Sequence, residues 1–211
     1  MKRILIAGFV LFFMVSLNAQ ELKPIKLVQP DKTRGKAVMT ALNERKSTRE
    51  FSSRKLSDQD LSDLLWAAWG INREDGRRTA PSALNKQDVD VYVIMEEGAY
   101  IYDGKAHSLN PVSRGDYRTA VAGQQAFAKD APVALVMVSD LDRFGGTVTE
   151  HTKLMAAVNI GVVCQNINIF CAATGLVTVP RAFMDNEALT TALKLKESQL
   201  LLMNNPVGYP K

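Results

Sequence analysis

Cysteine, histidine and net charge are all scarce in this 211-residue chain, and each scarcity removes a class of function. The two cysteines, Cys164 and Cys171, lie seven apart in one apolar segment. On a helix that separation is roughly 10 Å, beyond disulfide reach, so they read as packed thiols. Only two histidines occur, His107 and His151, and there is no C-x-x-C or H-E-x-x-H pattern, which leaves metal chemistry without a ligand set. The formal charge of +4 falls to about +2 without Lys2 and Arg3, too little to draw nucleic acid or another polyanion. Internal repeats and low-complexity tracts are also missing.

What is present begins with a targeting pattern. Lys2 and Arg3 precede an apolar run from Ile4 to Leu17, and Leu17-Asn18-Ala19 offers a small residue before a cut. Residues 1–19 therefore read as a signal peptide, and residues 20–211 as the mature protein, periplasmic or secreted. The run of about 14 residues is short of the roughly 20 that a membrane span needs, so no stable span is expected after cleavage. An accessory protein held to the membrane by an uncleaved N-terminus is the rival reading. The remainder suffices for one domain with a substantial core.

A polar lead-in with two prolines covers residues 20–34, and Gly35 to Asn43 fits a short helix. Ser57, with Asp60 three residues on, marks a helix start, and Leu61, Leu64, Leu65 and Ala68 keep the helical period until Gly70. Residues 70–88 form an irregular stretch long enough to suggest function. Val89 to Met95 and Ala99 to Asp103 read as a hairpin about Glu96-Glu97-Gly98, with Tyr92, Tyr100 and Tyr102 packing across strands. Gly115 to Lys129 reads as helix, and Val133 to Ser139 as a buried strand. Glu150 to Thr174 is apolar nearly all round, with Asn159, Gln165, Asn166 and Asn168 as its amides, and reads as a buried helix. Gln165 and Asn166 fit hydrogen bonding between helices. Leu176 to Val179, Asp185 to Lys194 and Gln199 to Met203 complete the chain as strand, helix and strand. Trp66 and Trp69 read as core, with Trp69 near enough to the long loop to border a pocket.

The chemistry-bearing cluster is Arg45-Lys46-Ser47-Thr48-Arg49, three cations and two hydroxyls in five residues. Such a set can hold a phosphate and keep donors for a second polar group, although an isolated basic run more often only solvates a surface. Three further segments follow it: Thr79-Ala80-Pro81-Ser82-Ala83-Leu84-Asn85, the apolar helix with Gly161 and Gln165-Asn166, and Val179-Pro180-Arg181-Ala182-Phe183. In this order they resemble the nitroreductase family of FMN-dependent oxidoreductases. Leu64 to Asn85, with the Tyr-rich hairpin, is similar to the SagB-like peptide dehydrogenase branch. The resemblance covers about residues 35–210.

That resemblance implies an α+β fold, a mostly antiparallel sheet flanked by helices, in an intertwined homodimer with FMN at the subunit interface. The long apolar helix would then pack across the dimer. By position it implies Arg45, Lys46 and Ser47 at the FMN phosphate and Arg49 at the N1/O2 edge of the ring. Pro81, Ser82 and Asn85 would approach the ring from the partner subunit, and Pro180, Arg181 and Ala182 would lie beside N5 and O4. No side chain need act as a nucleophile; a hydride would pass through flavin N5 to a small-molecule acceptor. Pro81-Ser82 is also a common turn and Asn85 a common cap. Arg181-Ala182 replaces the Glu-Gly frequent in the family, so an Arg near O4 would change the charge facing the substrate. The chain also stops at Lys211 without the family's frequent basic pair. The alternative is a non-catalytic flavin- or anion-binding protein that keeps the fold.

Overall fold

The computed structural model describes residues 21–211; the signal-like stretch 1–19 lies outside them. The strands are β1 (Ile25–Lys26), β2 (Val89–Ile94), β3 (Gly98–Asp103), β4 (Ser108–Arg114), β5 (Val133–Asp140), β6 (Val177–Thr178) and β7 (Gln199–Gly208). The helices are α1 (Val38–Glu44), α2 (Asp58–Trp69), α3 (Arg118–Ala122), α4 (Glu150–Thr174) and α5 (Asn186–Leu193). All strands join one sheet in the order β1-β4-β3-β2-β5-β7-β6, and every pairing is antiparallel.

The central strands are apolar at almost every position because both sheet faces are covered. Val89, Val91, Val93, Leu135 and Met137 pack with α2 and α4. Tyr92, Ile94, Ala134, Val136 and Val138 pack on the opposite face with Val121 of α3 and Leu189 and Leu193 of α5. Alternation along a strand sends consecutive residues to opposite faces, so two cores need two apolar sets. Cys164 and Cys171 are buried free thiols in the α4 layer, and burial pushes the Cys164 thiol up to about 12.

Helix α2 starts where its cap expects: Ser57 Oγ accepts from the Asp60 N–H at 3.1 Å. The same end anchors both termini of the described chain. Arg34 of the lead-in donates to Asp60 at 2.7 Å and to Asp63 at 2.9 Å, and the Tyr209 hydroxyl donates to Asp60. Burial works to raise the Asp60 carboxyl, but hydrogen bonds from Tyr209, Ser57 and Arg34 outweigh it and hold the group below its ordinary range.

His107, at φ +48 in the turn after β3, ties that turn to the lead-in. Its Nδ1 meets the Tyr102 hydroxyl at 2.9 Å, and its Nε2 meets Ser62 Oγ at 2.7 Å and the Val28 carbonyl at 3.0 Å. Burial holds the imidazole below its ordinary value, against the opposing pull of the Val28 carbonyl and Asp63. A base with a depressed folded pKa adds its full stability above the unfolded value of about 6.5, and loses it as pH falls from there through the folded value. The melting temperature is therefore expected to fall between about pH 7.5 and pH 5.5, and to fall less in His107→Gln. Equal falls in the two proteins would exclude this histidine as the cause.

Three elements depart from the sequence reading. Strand β4 carries Pro111 and has little apolar character, yet it pairs with β3 along its length. Beyond Ser108 and Leu109 its other side is a sheet edge, where a residue without an N–H is tolerated. The expected helix from Gly115 to Lys129 is broken: α3 stops at Ala122, Gly123 adopts φ +54, and a 3-10 turn follows over Ala126–Asp130. The Val121 and Ala122 carbonyls accept instead from the Arg181 guanidinium. Strand β7 runs through Pro206 to Gly208, and the Thr178 hydroxyl donates to the Pro206 carbonyl at 2.8 Å.

Candidate functional site

The cation loop leaves α1 at Arg45 and returns to the sheet edge, where the Thr48 N–H donates to the Thr178 carbonyl of β6 at 3.0 Å. Phe51 then plugs into a small core with Ala131 and Val179, which fixes the far end of the loop. A hollow of about 190 Å³ opens beside it, lined by Lys46, Thr48, Asn168, Cys171, Gly175 and Thr178. Among the described residues, Arg45 and Arg49 are the only arginines whose side chains make no hydrogen bond, ion pair or ring contact. Lys46 and the Ser47 hydroxyl likewise have no partner among those residues. The adjacent Glu44 is taken by Lys36. The other described arginines have partners within the chain, whereas the side-chain donors of this loop do not.

The Pro180–Ala182 segment follows β6 directly and so lies on the same sheet edge. Arg181 and Asn204 exchange both backbone hydrogen bonds, at 2.8 and 2.7 Å. The Arg181 side chain is buried behind the segment. It donates to Gln125 Oε1, the Val121 and Ala122 carbonyls and Asn204 Oδ1 at 2.7 to 3.1 Å. The expectation of an arginine charge facing a substrate is therefore corrected: the guanidinium is consumed inside the fold. Burial pulls its pKa down. Ala182 is exposed, and its N–H has no partner among the described residues.

The Pro81–Asn85 turn lies elsewhere. Its Ala83 N–H donates to Asn159 Oδ1 in the first half of α4 at 2.9 Å, and Asn159 Nδ2 donates to the buried Asp88 carboxylate. Ser139 in β5 donates to the same carboxylate. Ser82 Oγ accepts from the Gln87 N–H at 2.9 Å, so Ser82 serves the turn itself. Leu84, Asn85 and Gln87 all adopt positive φ, and Leu84 is 90% exposed. Three such residues within four positions are strained, and the Asp88 network holds them there.

The cation loop and this turn thus meet α4 at well-separated points. From Asn159 to Ala172 the helix rises roughly 20 Å, so one chain does not bring the two together. The first part of α4 has an apolar, open outer face: Leu154 and Val158 are exposed, and beyond the helix's own turns nothing lies within 4 Å of where a Gly161 Cβ would be. The expected burial of this helix on all sides is therefore met on one face only within a single chain. Met39, 76% exposed, and Val38 on neighbouring α1 extend the apolar surface. Asn166 donates to the Ala67 carbonyl of α2, the interhelical bond the sequence suggests. Trp69 is buried with the Arg78 guanidinium over its ring, and Trp66 donates to the Ile71 carbonyl.

Sequence reasoning missed Asn204 and Asn205. In β7 their side chains point to opposite faces. Asn204 Nδ2 donates to the Phe183 carbonyl, and Asn205 Nδ2 donates to Asn168 Oδ1 and Thr178 Oγ1. Asn205 Oδ1 is the one buried side-chain polar atom without a partner among the described residues. The available signal was an amide pair interrupting the strand Leu-Leu-Leu-Met, since asparagine is disfavoured in strands unless its amide is used.

One antiparallel sheet with helices on both faces defines an α+β protein, with a loop of unpaired cationic side chains at the sheet edge. The sequence profile of the Nitroreductase family matches residues 42–209. A Methanocaldococcus jannaschii protein provisionally named a nitroreductase is 34% identical over 177 residues, covering 79% of this chain and 88% of its own. A Ralstonia eutropha crystal structure, also provisionally named a nitroreductase, superposes with TM-score 0.84 at 34% identity, over 89% of this chain and 90% of that one. NfrA2 of B. megaterium shares the fold alone, with TM-score 0.61 at 18% identity over 82% of this chain and 66% of its own. The chain belongs to the nitroreductase family, a family of oxidoreductases acting on small molecules.

Proposed function

We propose that the protein is an exported, FMN-dependent oxidoreductase that works as a homodimer. The observation that carries this reading is the free donor set of Arg45, Lys46, Ser47 and Arg49. A phosphate monoester carries close to two negative charges and three acceptor oxygens, which suit two side-chain cations and a hydroxyl. Arg45, Lys46 and Ser47 would hold it, leaving Arg49 for the polar edge of the ring. The free Ala182 N–H, set by the Arg181–Asn204 pair, would face the ring's N5 and O4 side with Pro180 beside it. Bound there, FMN would accept a hydride at N5 from a donor and return the electron pair to an acceptor.

The separation of the half-sites along α4 supports the dimer. Two α4 helices packed antiparallel on their open faces would bring Pro81, Ser82 and Asn85 of one chain towards the cation loop of the other. Val158→Glu places a charge on that face and is expected to halve the mass measured by sedimentation. A wild-type protein already monomeric at micromolar concentration overturns the pairing.

The deciding experiment is the visible spectrum of the purified mature protein with added FMN. A retained flavin band that bleaches anaerobically on reduction is expected. A colourless protein that cannot be reconstituted sinks the proposal, and retained flavin without turnover for any donor and acceptor leaves the binding-protein alternative.

A further inference from the structure

A second hollow opens just past Ala182. It is a cleft of about 600 Å³ lined by Asp116, Tyr117, Gly123, Gln124, Phe183 and Asp185 among others. Phe183 is 45% exposed, unusual for a large aromatic in this chain. Its ring packs closely over Gly123, where a Cβ would stand 3.3 Å away and the positive φ favours glycine. Asn204 holds the Phe183 backbone through its carbonyl at 3.2 Å. A half-exposed ring on an anchored backbone is a ready stacking surface for another flat ring.

The lining contains two carboxylates, Asp116 and Asp185, and no lysine, arginine or histidine. Asp116 is ion-paired with Arg118 next to the cleft, so Asp185 is the lining carboxylate without a cation partner among the described residues. Arg181 belongs to the adjoining segment but turns its guanidinium behind it. Hydrogen bonds from Arg118, at 2.9 and 2.6 Å, hold the Asp116 carboxyl below its ordinary range. Asp185 caps α5 by accepting from the Ala188 N–H at 3.0 Å. We infer that this cleft admits flat-ring molecules that are neutral or positively charged and turns away anionic ones, with Phe183 as the stacking wall and Asp185 as the charge filter. That the cleft receives the electron acceptor rests on the function proposed above; the filter itself rests on the lining.

The test uses three matched probes, 2-naphthamide, 2-naphthoate and 2-naphthyltrimethylammonium, titrated into the mature protein and followed by amide NMR shifts at Gln124 and Phe183. The amide and the ammonium are expected to shift these signals, and naphthoate to bind about tenfold more weakly, with the gap shrinking as salt is raised. Asp185→Ser, which keeps a capping oxygen, should close the gap. Phe183→Ala should weaken all three probes alike. Equal binding of naphthoate and naphthamide, a gap that survives Asp185→Ser, or no effect of Phe183→Ala each overturns the inference. A protein that sorts the probes but takes up no FMN overturns the proposed function and leaves the filter standing.

Discussion

Exchanging Arg181 for methionine is expected to lower the unfolding free energy by about 3 kcal/mol, the largest stability loss we foresee for one substitution. The guanidinium is buried, and all four of its acceptors are neutral oxygens. Methionine fills much of the same volume but leaves the Val121 and Ala122 carbonyls, Gln125 Oε1 and Asn204 Oδ1 short of a donor. Hydrogen bonds to a charged group are worth about 1.5–3 kcal/mol each, while release of a buried charge offsets part of their loss. Lysine should recover little, because one ammonium cannot reach acceptors spread around a planar fork. Urea denaturation with an unchanged slope is the measurement; a midpoint within error of wild type would show that the network adds no net stability.

The second large effect is on affinity. Replacing Arg45 and Lys46 together by alanine should weaken FMN binding by about 100-fold or more, since each loses a charge-assisted bond to the phosphate. Without flavin, the same variant should unfold within about 0.5 kcal/mol of wild type, because neither side chain has a partner in the fold. Isothermal titration and flavin fluorescence read the first quantity, and denaturation of the flavin-free protein the second. Undiminished affinity would remove the loop from the site. Lost affinity accompanied by lost stability would make the loop a structural element.

The pattern of periods already carried the helices α2, α4 and α5 and the strands β2, β3 and β5, since those segments bury whole faces and their residues repeat accordingly. What it hid were elements fixed by distant partners. Strand β4 is held by pairing with β3 rather than by its own residues, and α3 ends early because Arg181, nearly sixty residues away, claims its last carbonyls. The same bond explains why the Arg181 side chain was misplaced: a charged residue beside a presumed ligand segment reads as outward until its acceptors are known. The cation loop was legible as a cluster of donors from its residue types, but only the structure shows those side chains unpaired. The strained Leu84–Gln87 turn was visible only as a long irregular stretch, and its anchor, Asp88 with Asn159, spans too much chain for any local pattern.

Helix α4 acts as a ruler. Asn159 fixes one landmark on it, and the Lys36 N–H bonded to the Ala173 carbonyl fixes another. Each added or deleted residue between them would turn one landmark by about 100° against the other and slide it about 1.5 Å. An insertion or deletion between Asn159 and Ala173 is therefore expected to put the two landmarks out of phase, whereas exchange among apolar types at exposed Leu154 or Val158 leaves the spacing intact.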